Sequence, residues 1–363
     1  MTQNNRPRII IQDLNSKEFN VIEINGGDIG EISPMLNQEY RKDTLRFLFS
    51  SPFIYQQQYE YNHQTRKNRK IQDIKLRGSP QIIRKNFECK EFMVPSHDGV
   101  DVPMNIYYKK GAVDLNRRNR VLMESYGAYG LNLSQSFNIV KTSAMERGWI
   151  IADAHVRGGG ERGIEWHEQG KHMNRPNAFL DFIACAEYLI AKRITHPNLL
   201  AAKGQSAGGS LIAHAVMNLR PELFRSCILN VPFLDILTSL MDESLPLSAT
   251  DYLELGNPIT DQQIYQLINS YCPYQNLSNQ EYPSVLIQSS ISDPRVPIWG
   301  TLKFIEKLRD MSCDPKRFPD FGAKNIVCRL HNEEGIGHFG SADNEANLGL
   351  LTYEFAWLDF LMF

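Results

Sequence analysis

One serine flanked by glycines constrains the fold of this chain more than any other sequence feature. Gly204, Ser206 and Gly208 fit the pattern G-x-S-x-G, between an apolar run of strand length at 199–203 and a helical pattern at 207–219. The spacing predicts a strand, a tight turn and a helix. Such a turn is strained and tightly packed, so it needs glycine on both sides of the serine. It lifts the serine hydroxyl off the end of a sheet.

The second half of the chain alternates between strand-like and helix-like segments, which is typical of a mostly parallel sheet flanked by helices. We predict strands at 121–125, 150–155, 199–203, 227–231, 284–289 and 326–331. We predict helices at 178–192, 207–219, 298–311 and 344–360. Together with the serine turn, this order predicts an α/β protein with the α/β-hydrolase fold.

The first 80 residues are instead β-like and poor in helix signals. Predicted strands lie at 8–11, 19–23, 44–50, 54–61 and 70–74. So few strands are not expected to be stable without another face to pack on. After an uninformative stretch at 77–91, segments 92–94 and 102–108 predict a hairpin. We therefore expect a β-rich segment at 1–80 and a catalytic α/β domain at 81–363.

Composition excludes several classes of partner. Lysine and arginine total 39 against 41 aspartate and glutamate, so charge favours neither nucleic acid nor an anionic membrane surface. No apolar run approaches the roughly 18 residues of a membrane span, and the first residues do not resemble a signal peptide. Six scattered cysteines are typical of reduced thiols. We expect a cytoplasmic protein without metal or cofactor.

Two later loops supply partners for the serine. A serine hydroxyl needs a base to take its proton, and a third group must hold that base in one tautomer. Asp293 follows the predicted strand at 284–289, and His338 follows the one at 326–331 in a glycine-bracketed loop. The order serine, acid, histidine is the α/β-hydrolase order. The sequence therefore predicts a triad of Ser206, Asp293 and His338.

An acyl-transfer site also needs hydrogen-bond donors for the oxyanion. The N–H of Ala207, directly after the serine, is one candidate. A glycine-rich turn at 124–130 contains Tyr126 and follows the first strand of the α/β region. Its aromatic residues are equally consistent with packing.

Several motifs resemble those of the prolyl oligopeptidase family of serine peptidases. They are S-Y-G-A-Y-G at 125–130, H-V-R-G-G-G-E at 155–161, the G-x-S-x-G turn, D-P-R-V-P at 293–297 and G-H at 337–338. Segments 233–235, 242–247 and 256–258 narrow the likeness to the oligopeptidase B branch, and 271–276 further resembles the prolyl-endopeptidase-like proteins beside it. The likeness covers about residues 80–363.

This resemblance implies roles for individual residues. Ser206, Asp293 and His338 would be the triad, and the hydroxyl of Tyr126 would join the Ala207 amide in the oxyanion hole. Arg295 matches the arginine that holds a carbonyl of the bound peptide. The family carries a β-propeller, of which residues 1–80 resemble only the last blade and the return linker. We therefore expect an exposed face that is prone to self-association.

The resemblance also bears on specificity. The oligopeptidase B branch cuts after arginine or lysine, using paired carboxylates in the segment that aligns with 250–255. One carboxylate is kept as Asp251, and the other is replaced by Leu253. Glu254 would point to a different face from Leu253 on a strand or a helix. We therefore expect only a modest preference for basic residues, with apolar acyl groups tolerated.

Two other kinds of site have weaker support. Gly158, Gly160 and Gly163 fit a dinucleotide fingerprint, but the next helix is expected only near residue 177, too late to meet a pyrophosphate. His167 and His172 are five residues apart, not the four of a zinc-binding H-E-x-x-H helix.

The expected partner is a peptide or another acyl substrate, and two alternatives to a peptidase stay open. The same triad would serve a hydrolase of esters or thioesters. A catalytically idle binding module could keep the fold for the sake of its surface.

Overall fold

The computed structural model describes residues 2–3, 6–24, 29–39, 41–75, 84–312, 326–331, 336–341 and 343–362. Seven strands precede the α/β region: β1 Thr2–Gln3, β2 Arg6–Gln12, β3 Phe19–Glu23, β4 Glu31–Pro34, β5 Thr44–Ser51, β6 Ile54–Asn62 and β7 Lys67–Ile74. They form two antiparallel sheets within the described residues, β1-β2-β3 and β4-β5-β6-β7.

The next strands build the central sheet. They are β8 Phe87–Pro95, β9 Asp101–Lys109, β10 Val121–Glu124, β11 Ile150–Ala154, β12 Leu200–Gln205, β13 Ser226–Asn230, β14 Ser284–Ser290 and β15 Ile326–His331. Their order is β15-β14-β13-β12-β10-β11-β9-β8, with β10 to β15 parallel and the β8–β9 hairpin antiparallel at one edge. Strands such as β11 and β14 are buried along their whole length, because helices cover both faces of the sheet.

The helices alternate with these strands. They are α1 Ile139–Glu146, α2 Ile164–Glu168, α3 Pro176–Ala191, α4 Ala207–Ile212, α5 Ile236–Leu240, α6 Ser248–Leu255, α7 Gln262–Tyr271, α8 Ile298–Ser312 and α9 Asn344–Met362. A π-helical segment, Ala213–Leu219, continues α4. Single 3₁₀ turns lie at Arg84–Asn86, His172–Asn174, Pro197–Leu199 and Pro221–Leu223, and a short hairpin pairs β16 Ile336–Gly337 with β17 Gly340–Ser341.

Local sequence explains where several helices begin. Asn138 caps α1 by accepting the N–H groups of Val140 and Lys141, and Asp261 caps α7 in the same way. Helix α3 begins with Pro176, whose missing N–H costs nothing in the first helical turn.

Two cores lie on the two faces of the sheet. The larger one packs α3, α4 and α8 against the sheet through side chains such as Phe182, Leu211 and Phe304. The smaller one packs α1 and α9 against the other face through Met145 and Leu358. This arrangement leaves the carboxyl ends of the parallel strands free to carry a site.

The N-terminal strands have a core of their own and are also joined to the α/β region. Phe47, Phe49, Tyr59 and Tyr61 belong to a cluster with Ile22 of β3 and with Ile24, which follows that strand. The ring of Phe53 stacks on Phe87 of β8, with centroids 5.6 Å apart. The Ser50 hydroxyl oxygen accepts the N–H of Phe137 at 3.0 Å.

The predicted α/β-hydrolase architecture is confirmed, and the six parallel strands lie within one or two residues of their predicted bounds. The expectation for 77–91 was incomplete, because β8 begins at Phe87, well before the predicted segment at 92–94. The predicted helix at 207–219 is α-helical only to Ile212. The predicted boundary at residue 80 lies outside the described residues.

Five cysteines, Cys89, Cys185, Cys227, Cys272 and Cys328, carry free thiols, whereas Cys313 lies outside the described residues. None of the helices described here has the length and apolar character needed to cross a membrane.

Candidate active site

Ser206 occupies a strained turn between β12 and α4. Its φ is +56° and its ψ is −121°, a conformation that non-glycine residues rarely adopt. A Cβ on Gly204 would lie 2.2 Å from the carbonyl oxygen of Gly208, so the turn closes only with glycine there. A Cβ on Gly208 would lie 2.8 Å from the carbonyl oxygen of Ser125. The predicted glycines thus let strand, helix and a neighbouring loop meet at the serine.

The structure brings the three predicted triad residues together. His338 Nε2 lies 3.0 Å from Ser206 Oγ, and His338 Nδ1 lies 2.8 Å from Asp293 Oδ2. The side chains of His338 and Asp293 are only 4% and 2% exposed. This geometry allows a proton to pass from the serine hydroxyl to the imidazole while the carboxylate orients the ring.

The turn after β14 shapes the electrostatics of Asp293. Burial opposes its charge, but hydrogen bonds from His338 and from the N–H groups of Val296 and Arg295 outweigh burial and lower the pKa of the carboxyl. Asp293 therefore stays ionised at neutral pH, as a carboxylate that must stabilise an imidazolium requires.

The predicted oxyanion residues lie on either side of the turn. Ala207 is the first residue of α4, where an N–H group has no partner inside the helix. Tyr126 belongs to the loop after β10, and a Cβ on Gly208 would lie 3.1 Å from its Cα. Burial raises the pKa of the Tyr126 phenol, with Arg175 and Arg295 opposing the shift. Its hydroxyl therefore keeps its proton at neutral pH and can donate a hydrogen bond.

Helix α6 presents two carboxylates to this loop. Asp251 Oδ1 accepts the Tyr129 hydroxyl at 3.1 Å, and Glu254 Oε1 accepts the Tyr129 N–H at 2.7 Å. Three residues apart, Asp251 and Glu254 share one helix face. Burial raises the pKa of the Asp251 carboxyl, although the Tyr129 hydroxyl and the charge of Arg295 oppose it.

The placement of Leu253 differs from the expectation that it lines the same pocket as Asp251. Leu253 is 77% exposed. It follows Asp251 by two residues on α6, so its side chain is rotated by roughly 200° around the helix axis relative to that of Asp251. The expectation that Glu254 would point to a different face from Leu253 agrees with the structure. Glu254 is buried beside Tyr129, on the same side of α6 as Asp251.

Arg295 lies on the surface beside the triad. Its guanidinium carbon is 5.4 Å from the ring centre of Phe339, and the Phe339 ring is edge-on to His338 at 5.1 Å. The side chain of Phe339 is 79% exposed. Sequence reasoning missed this aromatic residue, although its place directly after His338 was a signal that it would lie near the site.

The glycine-rich motif at 158–163 packs against the loop after β10 that carries Tyr126. A short helix, α2, begins directly after Gly163, so the expectation of no helix before residue 177 was wrong. A Cβ on Gly158 would lie 2.3 Å from the Gly127 carbonyl oxygen, and one on Gly160 would lie 2.1 Å from that of Gly130. The glycines are thus needed where two loops pack together.

The two histidines considered for zinc are bound to α6. His167 Nε2 lies 2.7 Å from Glu254 Oε2, and His172 Nε2 lies 3.0 Å from the carbonyl oxygen of Leu253. Among the residues that the structure describes, no three histidine, cysteine, aspartate or glutamate side chains form a metal-ligand group.

A buried ionic group lies behind the triad. Glu354 of α9 accepts the Lys203 ammonium at 2.5 Å, Asn230 Nδ2 at 2.7 Å and Gln288 Nε2 at 2.9 Å. Burial disfavours the charge on Lys203, but Glu354 and Glu124 outweigh it and raise the pKa of the ammonium. One helix carboxylate thus links β12, β13 and β14, the strands that precede the serine and the Asp293 loop.

Curated proteins similar to this chain are about twice its length. A Xenopus laevis protein named prolyl endopeptidase-like is 37% identical over 323 residues, which is 88% of this chain and 44% of that protein. Protease 2 of Moraxella lacunata is 32% identical over 327 residues, which is 90% of this chain and 45% of that protein. The chain therefore spans less than half the length of these two relatives.

Solved structures share the fold. Oligopeptidase B from Leishmania major aligns with a TM-score of 0.87 at 28% identity, over 98% of this chain and 48% of that one. Oligopeptidase B from Trypanosoma brucei, with covalently bound antipain, aligns with a TM-score of 0.86 at 31% identity, over 98% of this chain and 49% of that one.

The model of the prolyl oligopeptidase family matches residues 135–362, which contain Ser206, Asp293 and His338. By this match the chain belongs to the prolyl oligopeptidase family.

Proposed function

We propose that this chain is a serine peptidase that cleaves oligopeptides through an acyl-enzyme. The observation that carries the proposal is the continuous contact from Ser206 Oγ through His338 to Asp293, at 3.0 and 2.8 Å. The idle binding module is disfavoured by the same contact, because a surface-binding role does not need it.

In the proposed reaction, Ser206 Oγ attacks the scissile carbonyl carbon while its proton passes to His338 Nε2. The imidazolium then gives this proton to the leaving amine, and the C–N bond breaks to leave an acyl-serine. Water attacks the acyl carbon and gives its proton to His338, which returns it to Ser206 as the acid departs. Asp293 accepts a hydrogen bond from the Nδ1–H of His338 throughout, stays ionised and stabilises the imidazolium.

The tetrahedral intermediates place negative charge on the former carbonyl oxygen. We assign the stabilising donors to the Ala207 N–H and the Tyr126 hydroxyl. The close packing of Tyr126 on Gly208 and the raised pKa of its phenol support this assignment.

For substrate binding we propose Asp251 and Arg295. Asp251 offers a buried carboxylate, and its hydrogen bond from the Tyr129 hydroxyl at 3.1 Å supports a role beside the oxyanion loop. Arg295, exposed beside His338 and Phe339, is suited to bind a peptide carbonyl. With Leu253 turned outward, one carboxylate from the expected pair remains, which supports a modest preference for basic residues.

Two further proposals concern the surroundings of the protein. Five free cysteines among the described residues are consistent with a reducing compartment, and we propose the cytoplasm. We also propose self-association through the exposed face of the N-terminal strands.

Covalent labelling with a fluorophosphonate probe tests the central proposal. We expect labelling of the wild type and none of Ser206→Ala, whose kcat should fall by about four orders of magnitude or more. Paired peptide and ester substrates with the same acyl group then separate a peptidase from an esterase. Equal labelling of the alanine variant, or hydrolysis of esters alone, would contradict the proposal.

A further inference from the structure

The loop that carries Tyr126 has an unusual backbone. Gly127, Tyr129 and Gly130 all have positive φ, at +59°, +56° and +63°. For Tyr129 this is a sparsely populated conformation, which persists only where surrounding contacts enforce it. The contacts of Tyr129 therefore decide whether the loop keeps its shape.

Glu254 makes the contact at the strained residue itself. Its side chain is 5% exposed, and its Oε1 accepts the Tyr129 N–H at 2.7 Å. Its other oxygen lies 2.7 Å from His167 Nε2, so both oxygens are engaged and the side chain is fixed in one orientation. A charge-assisted bond to a backbone N–H is about twice as strong as a neutral one.

Other contacts hold the remainder of the loop. Arg175 donates to the Gly127 carbonyl oxygen, and the Gly130 N–H donates to the Gly158 carbonyl oxygen at 3.0 Å. These bonds fix the residues on either side of Tyr129 without reaching its own N–H. The ring centroids of Tyr126 and Tyr129 are 6.5 Å apart, so a displacement of Tyr129 would also displace the Tyr126 side chain.

From these contacts we infer that Glu254 is a positioning residue for the reaction. Held by His167, its carboxylate fixes the backbone of Tyr129 and thereby keeps the Tyr126 hydroxyl where the oxyanion forms. Glu254 acts through the loop and stabilises the transition state indirectly. This inference rests on the proposed function and adds a residue to which that function assigns no part.

The test compares Glu254→Ala with Glu254→Gln, which keeps an acceptor for the Tyr129 N–H. Glu243→Gln is the matched control, because Glu243 is exposed just before α6. A displaced oxyanion donor costs about 10²-fold in rate. We expect Glu254→Ala to lower kcat by about that factor with KM within about twofold, and Glu254→Gln to recover most of the loss.

A peptide aldehyde gives a second readout. Ser206 Oγ adds to its carbonyl carbon, and the carbonyl oxygen becomes the oxygen of a hemiacetal in the oxyanion site. In Glu254→Ala we expect the inhibition constant of the aldehyde to rise by the factor by which kcat/KM falls. The dissociation constant of the corresponding peptide acid should change by less than about twofold.

Unchanged kcat and unchanged aldehyde inhibition in Glu254→Ala would overturn the inference. A rise in KM matched by an equal rise in the dissociation constant of the peptide acid, with kcat unchanged, would also overturn it. If circular dichroism shows that Glu254→Ala does not fold, Glu254→Asp takes its place. Its shorter side chain should lower kcat by about tenfold, and full activity would overturn the inference.

A wild type that the fluorophosphonate does not label would overturn the proposed function together with this inference. Labelled wild type with a fully active Glu254→Ala would overturn this inference alone.

Discussion

Asp293 and His338 face each other through Oδ2 and Nδ1 at 2.8 Å, with both side chains almost completely buried. An asparagine at position 293 could present an amide N–H where the imidazole needs an acceptor, which favours the wrong tautomer. We expect Asp293→Asn to lower kcat by about 10⁴-fold. Steady-state kinetics will measure the effect, with the exposed Asp242→Asn as the control. A loss below about tenfold would show that the carboxylate does not orient the base.

The placement of Asp251 and Leu253 on α6 gives a prediction about specificity. Substrates that differ only in the residue before the scissile bond should show a preference for arginine over leucine. Asp251→Asn should lower kcat/KM for arginine by about tenfold, because a hydrogen bond to a charged group is lost. Values for leucine should change by less than about twofold.

Leu253→Glu tests the other position of the expected carboxylate pair. The Leu253 side chain points into solvent. We expect the variant to leave the ratio of arginine to leucine unchanged. A tenfold increase in that ratio would instead place position 253 in the pocket, as the sequence comparison first suggested.

His214 gives a prediction about stability at acid pH. Burial, with a smaller contribution from Arg175, lowers the pKa of His214 from its usual 6.5 to about 4. The unfolded chain therefore binds a proton at this residue near pH 6.5, whereas the folded chain does so only near pH 4. His214 thus has no effect on stability above pH 6.5 and destabilises the fold as pH falls from 6.5 towards 4.

Replacing His214 by phenylalanine removes this titration and keeps a ring between Phe179 and Tyr271, which flank it. Between pH 7.5 and pH 5, wild type should lose about 2 kcal/mol more free energy of unfolding than His214→Phe. Urea unfolding at the two pH values will measure the difference. Equal losses would show that His214 is protonated as readily in the folded chain as in the unfolded one.

The hairpin of β2 and β3 gives a prediction about association. Ile10 lies directly opposite Val21 in the pairing, and Phe19 follows on the same face. Their exposed fractions are 40%, 47% and 67%. An apolar strip of this kind favours contact with a second copy.

Sedimentation velocity should therefore show a concentration-dependent dimer for wild type and a monomer for the Phe19→Ser, Val21→Ser double variant. Ile164→Ser removes an apolar side chain that is 71% exposed on α2, and it should leave the dimer intact. A wild type that stays monomeric at every concentration would contradict the prediction.

The sequence revealed those elements whose signal is local. Strands β10 to β14 are largely apolar because both sheet faces are covered, so their positions could be read directly. Strand β8 is an edge strand, and charged residues such as Glu88, Lys90 and Glu91 obscured its start. The five residues of α2 are too few to establish a helical period.

Which side chains of α6 face the site was harder to predict, because this helix is also short. The segment 250–255 covers less than two helical turns, so its pattern did not show which carboxylate would face inward. Alignment favoured position 253, whereas the helix places Asp251 and Glu254 on the buried face. Contacts such as Glu254 with His167 join residues far apart in the sequence, and only the fold shows them.

The bond between Lys203 and Glu354 has a consequence for the timing of biosynthesis. A ribosome completes β12, β13 and β14 well before it reaches α9. The contacts by which Glu354 links these strands therefore cannot form until α9 has been synthesised. His338 also emerges 132 residues after Ser206. A chain halted between β14 and His338 therefore contains Ser206 without His338 and Lys203 without Glu354. The contact between Ser206 and His338 can therefore assemble only once His338 has been synthesised and folded against β12 and α4.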